Sequence, residues 1–261
     1  MKGQHFVVTG GTTGIGAEIC SQLRAQGARI TVMDLHKPAT APDQYIAVDL
    51  NDIASINGAV GGIDGPVHGL FNVAGLPPRP GIREKVLRVN FFALRRVTLA
   101  LLPLLAEGSS IVNLSSRAGA AWHENIDQVK ALMALAGDAD IEAFCQAHNV
   151  DDTRAYHLSK EAVTVWTMQQ TEGLISKGLR MNSVSPAAVT TGILDDFKQA
   201  FGERVDKMMN RTGRAAHASE VASAAIFLAT PASNWMRGID LGVDGGMMAM
   251  TISDALGLND R

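Results

Sequence analysis

Tyr156 and Lys160 stand four residues apart in AYHLSKEAV (155–163), and the chain has only one other tyrosine. On a helix, side chains at i and i+4 lie one above the other on the same face. A phenol and an ammonium group would therefore be neighbours. A free phenol titrates near 10 and is a poor base at neutral pH, whereas a cation within about 4–6 Å favours the phenolate. Lowering it by two to three decades takes roughly 3–4 kcal/mol at 1.36 kcal/mol per decade. Lys160 together with a second cation carried by a bound ligand, in a partly dry cleft, can supply that. The pair reads as a general acid–base, against the simpler reading of a surface neighbour pair. His157 points about 100° away around the same helix and reads as incidental.

A second chemical signal is VVTGGTTGIG, a short apolar run followed by Gly10, Gly14 and Gly16 and then by a helical pattern. Between a first strand and a first helix, such a turn lets the backbone approach a pyrophosphate closely. The helix N-terminus then offers free N–H groups and the positive end of its dipole. Asp34 ends the second strand-like run, eighteen residues after Gly16. A carboxylate there accepts hydrogen bonds from an adenosine ribose 2′-hydroxyl and repels a 2′-phosphate, which favours NAD over NADP. His36 and Lys37 keep some NADP use conceivable, and Asp49 after the third run could meet the adenine edge.

These residues need elements to hold them. HFVVTG, ARITVMD, QYIAVDL, VHGLFNVAG, SSIVNLSS, LRMNSVSP and GIDLGVDGG read as seven short strands. Helical patterns alternate with them, including a long helix over 83–106 and another over 155–178. A further helix, ASEVASAAIFLAT, has Ser219 as its N-cap. Near-continuous apolar strands alternating with helices imply a doubly wound parallel sheet of the Rossmann type. Ligands would then lie at the carboxyl ends of its strands. Residues 120–153 depart from the alternation. They read as two inserted short helices above the sheet near the ligand edge, the first ended by Gly137 and the second capped by Asp138. No linker divides the chain, so residues 1–261 are expected to form a single domain with an integrated substrate pocket.

Composition narrows the class. The chain has 261 residues with 46% hydrophobic and 19% charged content, which suits a soluble globular protein with its own core. A net charge of −3 implies no nucleic-acid partner. Cys20 and Cys145 have neither metal nor redox spacing and read as buried and reduced, as in a cytoplasmic protein. MKGQHFVVTGG is too short in its apolar run for a signal peptide, and LALLPLLA (99–106) is too short to span a membrane. None of the seven histidines sits in a metal-binding spacing, so no metal is expected.

With these pieces in order, the chain resembles the short-chain dehydrogenase/reductase family over nearly its whole length. TGGTTGIG is similar to the family's TGxxxGxG turn, NVAG (72–75) to its NNAG, and Asn90 in VNFFAL to its helix asparagine. NLSSRAG resembles its catalytic-serine strand, YHLSK its YxxxK, NSVSPAAVTTG its NxxxPGxxxT, and VDGG its last-strand ending. Val73 and Ala187 depart from the pattern. The cast is nearer to the short coniferyl-alcohol dehydrogenases and the 3α-hydroxysteroid dehydrogenase/carbonyl reductases. The resemblance implies a catalytic set of Asn90, Ser116, Tyr156 and Lys160. Gly119 selects Ser116 over Ser115, which reads as structural. Asn90 would hold a water linking Lys160 to solvent. The implied cofactor is NAD, held by Gly10, Thr13, Gly14, Ile15, Gly16, Asp34, Asp49, Leu50, Asn72, Ala74, Gly75, Tyr156, Lys160, Pro186, Val189 and Thr191.

The substrate is the least determined. The helix after Thr191 and the inserted segment should roof the pocket, with Trp122, Ile193, Leu194, Phe197 and the MMAM run (247–250) as lining. Such a pocket suits a small-molecule hydrophobic alcohol or its carbonyl, aromatic first and steroid or alicyclic second. An NADPH ketoreductase and a non-catalytic nucleotide-binding regulator are the other readings. The family resemblance also implies a homodimer or homotetramer built on the helices around 83–106 and 155–177, with the insertion altering that surface.

Overall fold

The computed structural model describes residues 1–137 and 139–258. Its centre is one seven-stranded sheet. The elements run β1 (His5–Thr9), α1 (Gly14–Ala25), β2 (Arg29–Asp34), β3 (Gln44–Ala47), α2 (Ile53–Gly61), β4 (Val67–Asn72), α3 (Arg83–Leu87) and α4 (Leu94–Leu101). They continue with β5 (Leu105–Leu114), α5 (Ile126–Ala134), α6 (Ile141–Ala147), α7 (Asp152–Gln169), α8 (Thr171–Ile175), β6 (Arg180–Pro186), β7 (Val189–Thr190), α9 (Leu194–Phe201) and α10 (Glu203–Thr212). The last are β8 (Ala216–His217), α11 (Ala218–Ala229), β9 (Asp240–Val243) and α12 (Met247–Ala255).

The strand order is β3-β2-β1-β4-β5-β6-β9, and every neighbouring pair is parallel. The order reverses between β1 and β4, which opens a crevice at their carboxyl ends. Strands such as FVV (6–8) and LF (70–71) are buried on both faces because helices cover both sides. Phe91, Leu101, Leu158 and Val163 lie in the core on one side, and Ile19, Leu23, Val221 and Ala225 on the other. No helix among the described residues is long and apolar enough to cross a membrane.

Several expected boundaries are corrected. The helix over 83–106 is interrupted by a π-helical turn at Arg88–Ala93, which carries Asn90. A short turn containing Pro103 then ends it at Leu104, and β5 begins at Leu105. The helix expected over 155–178 starts at Asp152, because the Asp151 carboxylate caps it by accepting from the Arg154 N–H at 2.6 Å. It breaks after Gln169, and α8 follows. Ser219 is not the cap of α11. His217 holds that place, and the Glu220 carboxylate reaches back to the His217 N–H at 2.7 Å. The inserted α5 ends at Ala134 rather than Gly137. The expected Asp138 cap lies outside the described residues.

The insertion also sits elsewhere than expected. It packs on the flank of α7 and α3, not above the sheet's ligand edge. Glu161 of α7 is buried and takes both Arg154 (2.6 and 2.9 Å) and Asn125 (2.9 Å). Arg95 of α4 donates to the Met133 and Leu135 carbonyls at the end of α5, as suits a cation at a helix C-terminus.

Candidate active site

The β1–α1 turn passes so close to the end of β4 that a Cβ on Gly10 would fall 2.6 Å from Ala74 Cα. Gly10 also has φ +68°, a conformation that suits glycine. A Cβ on Gly16 would collide with the Gly10 carbonyl. Thr9 Oγ1 accepts from the N–H groups of Val73 (3.1 Å) and Ala74 (3.3 Å), which draws NVAG onto β1. Val73 thus keeps a satisfied backbone while its side chain becomes apolar wall. Thr13 caps α1 with backbone alone, so the first amides of the helix have no side-chain cap. This cradle fits a pyrophosphate. Asp34 closes β2, its carboxylate accepting from the N–H groups of Thr12 and His36 at 3.1 Å each. Asp49 is exposed and accepts from Asn51 N–H at 2.8 Å, with half-buried Leu50 beside it.

Asn72 corrects the expected cofactor set. Its side chain is buried beneath the sheet edge, where Nδ2 donates to Thr98 Oγ1 at 2.8 Å and Asn113 Oδ1 at 2.9 Å. The period-two alternation of β4 turns that side chain inward, so it braces the helix behind the crevice instead of facing it.

Where β5 ends, Tyr156, Lys160 and Ser116 converge. The Ser116 hydroxyl accepts from Ala118 N–H at 3.2 Å and faces the Tyr156 phenol, whose ionised form it favours. Lys160 Nζ donates to the Leu114 carbonyl at 2.8 Å and stands 5.9 Å from the centre of the Tyr156 ring. Ser115 is turned the other way, bonding the Lys160 carbonyl and Thr164 Oγ1 at 2.9 Å each. A Cβ on Gly119 would fall 2.8 Å from the Lys160 carbonyl, so this glycine lets the Ser116 turn lie against α7.

Tyr156 is 5% exposed and Lys160 4%. Burial pushes the phenol up to about 12, against a smaller downward pull from Ser116, and pushes the ammonium down to about 8. A lowered phenol is expected from Lys160 together with a second, bound cation, and the free protein holds Lys160 alone. In the free protein desolvation wins, because both groups lie under the roof.

Asn90 is buried in the π-helical turn. Its Oδ1 accepts from Leu76 N–H at 2.7 Å, and its Nδ2 donates to the Leu76 carbonyl (3.0 Å) and Ser159 Oγ (3.3 Å). The amide therefore clamps the 75–76 loop. A Cβ on Gly75 would fall 3.4 Å from Asn90 Oδ1 and 3.6 Å from Lys160 Nζ, so both polar ends face the same point.

These groups open into a cavity of about 320 Å³. Ile15, Gly75, Pro186, Val189 and Thr191 line it on the nucleotide side. Gly14 lies against Thr191, a Cβ there falling 3.3 Å from its methyl. Ala187, which replaces the family's glycine, keeps negative φ, so the substitution adds no backbone strain. On the far side Ile193, Leu194 and Phe197 form the roof, with Phe197 edge-on to Tyr156 at 5.2 Å between centroids. Trp122 is not a lining residue. It is half-buried beside His123, because the insertion flanks α7. His157 is a wall of the cavity after all, its ring 5.2 Å from that of Phe201.

Phe201 and Met208, outside the expected lining, also face the cavity. Phe201 was reachable from its i+4 spacing to Phe197, since the two rings stack at 6.1 Å. Met208 sits in a strongly polar helix and gives no comparable signal. Arg79 ties the roof to the opposite rim through a two-pronged pair with Asp196, at 2.8 Å on both arms.

Comparison with known proteins agrees with this geometry. The short chain dehydrogenase family model matches residues 4–126, and the model described as enoyl-(acyl carrier protein) reductase matches 127–248. Coniferyl-alcohol dehydrogenase of Pseudomonas sp. (strain HR199 / DSM 7063) is 34% identical over 95% of this chain and 97% of its own. The 3-alpha-hydroxysteroid dehydrogenase/carbonyl reductase of Comamonas testosteroni is 28% identical over 94% and 96%. The crystal structure of 3-alpha-hydroxysteroid dehydrogenase from Pseudomonas sp. B-0831, complexed with NADH, superposes with a TM-score of 0.84. It is 27% identical and covers 95% of this chain and 98% of that one. A likeness that runs from end to end, over a sheet and crevice of this kind, makes the chain a member of the short-chain dehydrogenase/reductase family and an oxidoreductase acting on CH–OH groups.

Proposed function

We propose that the chain is an NAD-dependent dehydrogenase that interconverts a hydrophobic, aromatic alcohol and its aldehyde or ketone. The observation that carries this reading is the Ser116–Tyr156–Lys160 group at the floor of an apolar cavity roofed by Phe197 and Phe201. When bound, the oxidised nicotinamide would supply the hydride acceptor and a positive charge beside the phenol. Gly10, Thr13, Gly14, Gly16 and Ala74 would hold the pyrophosphate side of the cofactor, and Asp34, Asp49 and Leu50 the adenosine side. Lys160 would hold the nicotinamide ribose, giving its ammonium acceptors beyond the Leu114 carbonyl. Ser116 would donate to the substrate oxygen as negative charge develops there. Tyr156 would take the alcohol proton in oxidation and return it in reduction. Asn90 would fix Leu76 and offer its remaining Oδ1 lone pair to a water beside Lys160.

The aromatic reading draws on the 34% relative, named for coniferyl alcohol, and on cavity size. At about 320 Å³ the cavity is at the small end of the roughly 300–1,000 Å³ usual for ligand pockets. It must also take a nicotinamide ring, which favours a one-ring alcohol over a four-ring steroid. The steroid or alicyclic reading is supported by the two 3-alpha-hydroxysteroid relatives and requires the roof to move. We take residues 1–261 as one functional unit acting in the cytoplasm as a homodimer or homotetramer. The insertion, packed on α7 and α4, would shape that assembly.

The test is reduced-cofactor formation with NAD and NADP across benzylic, cinnamyl, alicyclic and steroid alcohols. Turnover with NAD on the aromatic alcohols is the expected result. Preference for NADP, or turnover confined to steroids, would replace this reading with one of the others. In the same assay, Asp34→Ser lowers kcat/KM for NAD by about tenfold or more, since the site loses its ribose acceptor. It also narrows the gap to NADP by removing a charge that repels a phosphate. An unchanged NAD:NADP ratio would remove Asp34 from the cofactor site.

A further inference from the structure

Arg117 follows Ser116 and has no part in the chemistry above, yet its side chain is largely buried and lines the same cavity. Its Nε lies 3.3 Å from Asp244 Oδ2, and its Nη1 lies 4.0 Å from Asp240 Oδ2. Neither carboxylate is free to swing. Asp240 Oδ1 accepts from Ser183 and Ser185 at 2.7 Å each, which fixes it on β6. Asp244 accepts from Gly246 N–H (3.0 Å) and Met248 N–H (3.2 Å), which closes the turn into α12. The first residue of α12, Met247, lines the cavity too. Gly242 leaves room for the guanidinium, since a Cβ there would fall 3.1 Å from Nη1.

We propose that Arg117 is a positioning residue. It ties the Ser116 turn to the last strand and to α12, so one ion-pair network sets both the Ser116 hydroxyl and the Met247 wall of the cavity. This rests on Ser116 being the group that touches the substrate oxygen. The physical argument is steric and electrostatic. The 117–119 turn is short, and on its other side Gly119 lies against α7 and Ala118 against the core. Without the guanidinium, two partly buried carboxylates face each other, and the β9–α12 turn is pushed outward. The Ser116 turn then loses its outer anchor. A misplacement of about 1 Å at such a group can cost on the order of 100-fold in rate.

The experiment compares Arg117→Met, Arg117→Lys and Asp244→Asn with Ser116→Ala. It uses steady-state kinetics on an alcohol that the unmodified protein oxidises. It also uses the ¹³Cζ-tyrosine NMR spectrum at neutral pH. The chain has only two tyrosines, so Tyr156→Phe assigns the Tyr156 resonance directly. Arg117→Met is expected to lower kcat by about 10–100-fold with KM for NAD within about twofold. It should also move the Tyr156 resonance in the direction that Ser116→Ala moves it. Arg117→Lys should recover part of both. A lowered melting temperature with the resonance unmoved and kcat within twofold would overturn the proposal and leave Arg117 a stability residue. If Arg117→Met does not fold, Asp244→Asn decides by the same two readouts, since an asparagine still accepts from Gly246 N–H. The NMR readout needs no turnover. A protein inactive on every alcohol would count against the proposed function while the coupling is still tested.

Discussion

Replacing Tyr156 by phenylalanine lowers kcat by about 10³-fold and leaves NAD affinity within a few-fold of the parent. A positioned general acid–base contributes about 10²–10⁴, and phenylalanine keeps the ring that packs against Phe197 and Phe201. The fold should therefore be unaffected. The pH dependence carries the sharper test. Burial, against a smaller pull from Ser116, puts the phenol at about 12, so near neutrality the free protein holds it protonated. Carbonyl reduction needs that proton and should be flat in pH until the phenol ionises. Alcohol oxidation needs the phenolate, so its kcat/KM should rise about tenfold per pH unit below the operative pKa. With NAD bound that pKa must lie below 12, because the positive ring adds what Lys160 alone does not supply. In Tyr156→Phe the oxidation slope disappears along with the rate. A mutant that turns over at the parental rate, or keeps the slope, would remove Tyr156 from the chemistry.

What could be read in advance follows from how local each signal is. The glycine turn, Asp34 and the Tyr156–Lys160 spacing are short-range patterns, and one strand or helix delivers each to its place. The inner strands are visible because strands buried on both faces are written as unbroken apolar runs, whereas the half-buried edge strands β3 and β9 show this pattern less clearly. Other features depend on tertiary contacts that no local pattern encodes. The π-helical turn at Asn90 is one, since nothing in VNFFAL differs from an ordinary helical sequence. The inward turn of Asn72 is another, because its partners Thr98 and Asn113 are 26 and 41 residues away. Trp122 lies away from the cavity because the insertion docks through Glu161, Arg154 and Asn125 on the flank of α7, a contact no local pattern encodes. An amphipathic pattern shows that a helix is buried on one face but not against what. The phenol's upward shift belongs to the same class. The spacing to Lys160 showed that a cation is near, and only the roof of Phe197 and Phe201 shows how dry the pair is.

Lys160→Met separates the cost of that dryness from its use. Turnover should fall by about 10²–10³-fold, because the phenol loses its neighbouring cation and, on the proposed function, the cofactor ribose loses a donor. The unliganded protein should nevertheless become more stable at pH 7. The ammonium is buried and donates to the Leu114 carbonyl, and burial lowers its pKa from 10.5 to about 8. At 1.36 kcal/mol per decade that gap corresponds to about 3 kcal/mol of destabilisation while the lysine is charged in both folded and unfolded states. A methionine of similar length should therefore stabilise by about 1–3 kcal/mol. The sign of the pH dependence follows. Between about pH 8 and 10 the folded state has lost this proton and the unfolded state still holds it, so the parent's stability rises with pH. Above pH 10 the buried phenol opposes this trend. The folded state keeps the Tyr156 proton up to about 12 and the unfolded state gives it up, so that contribution falls. Urea denaturation from pH 7 to 9 should show the rise in the parent and not in Lys160→Met; above pH 9 the buried Cys20 and Cys145 thiols, pushed up to about 12 and about 11, lower the stability of both proteins alike. Equal slopes in the two proteins would mean that Lys160 is neither desolvated nor strained in the free protein. Saturating NAD should reverse the order of stability, since only the parent's ammonium gains ribose acceptors when the cofactor binds.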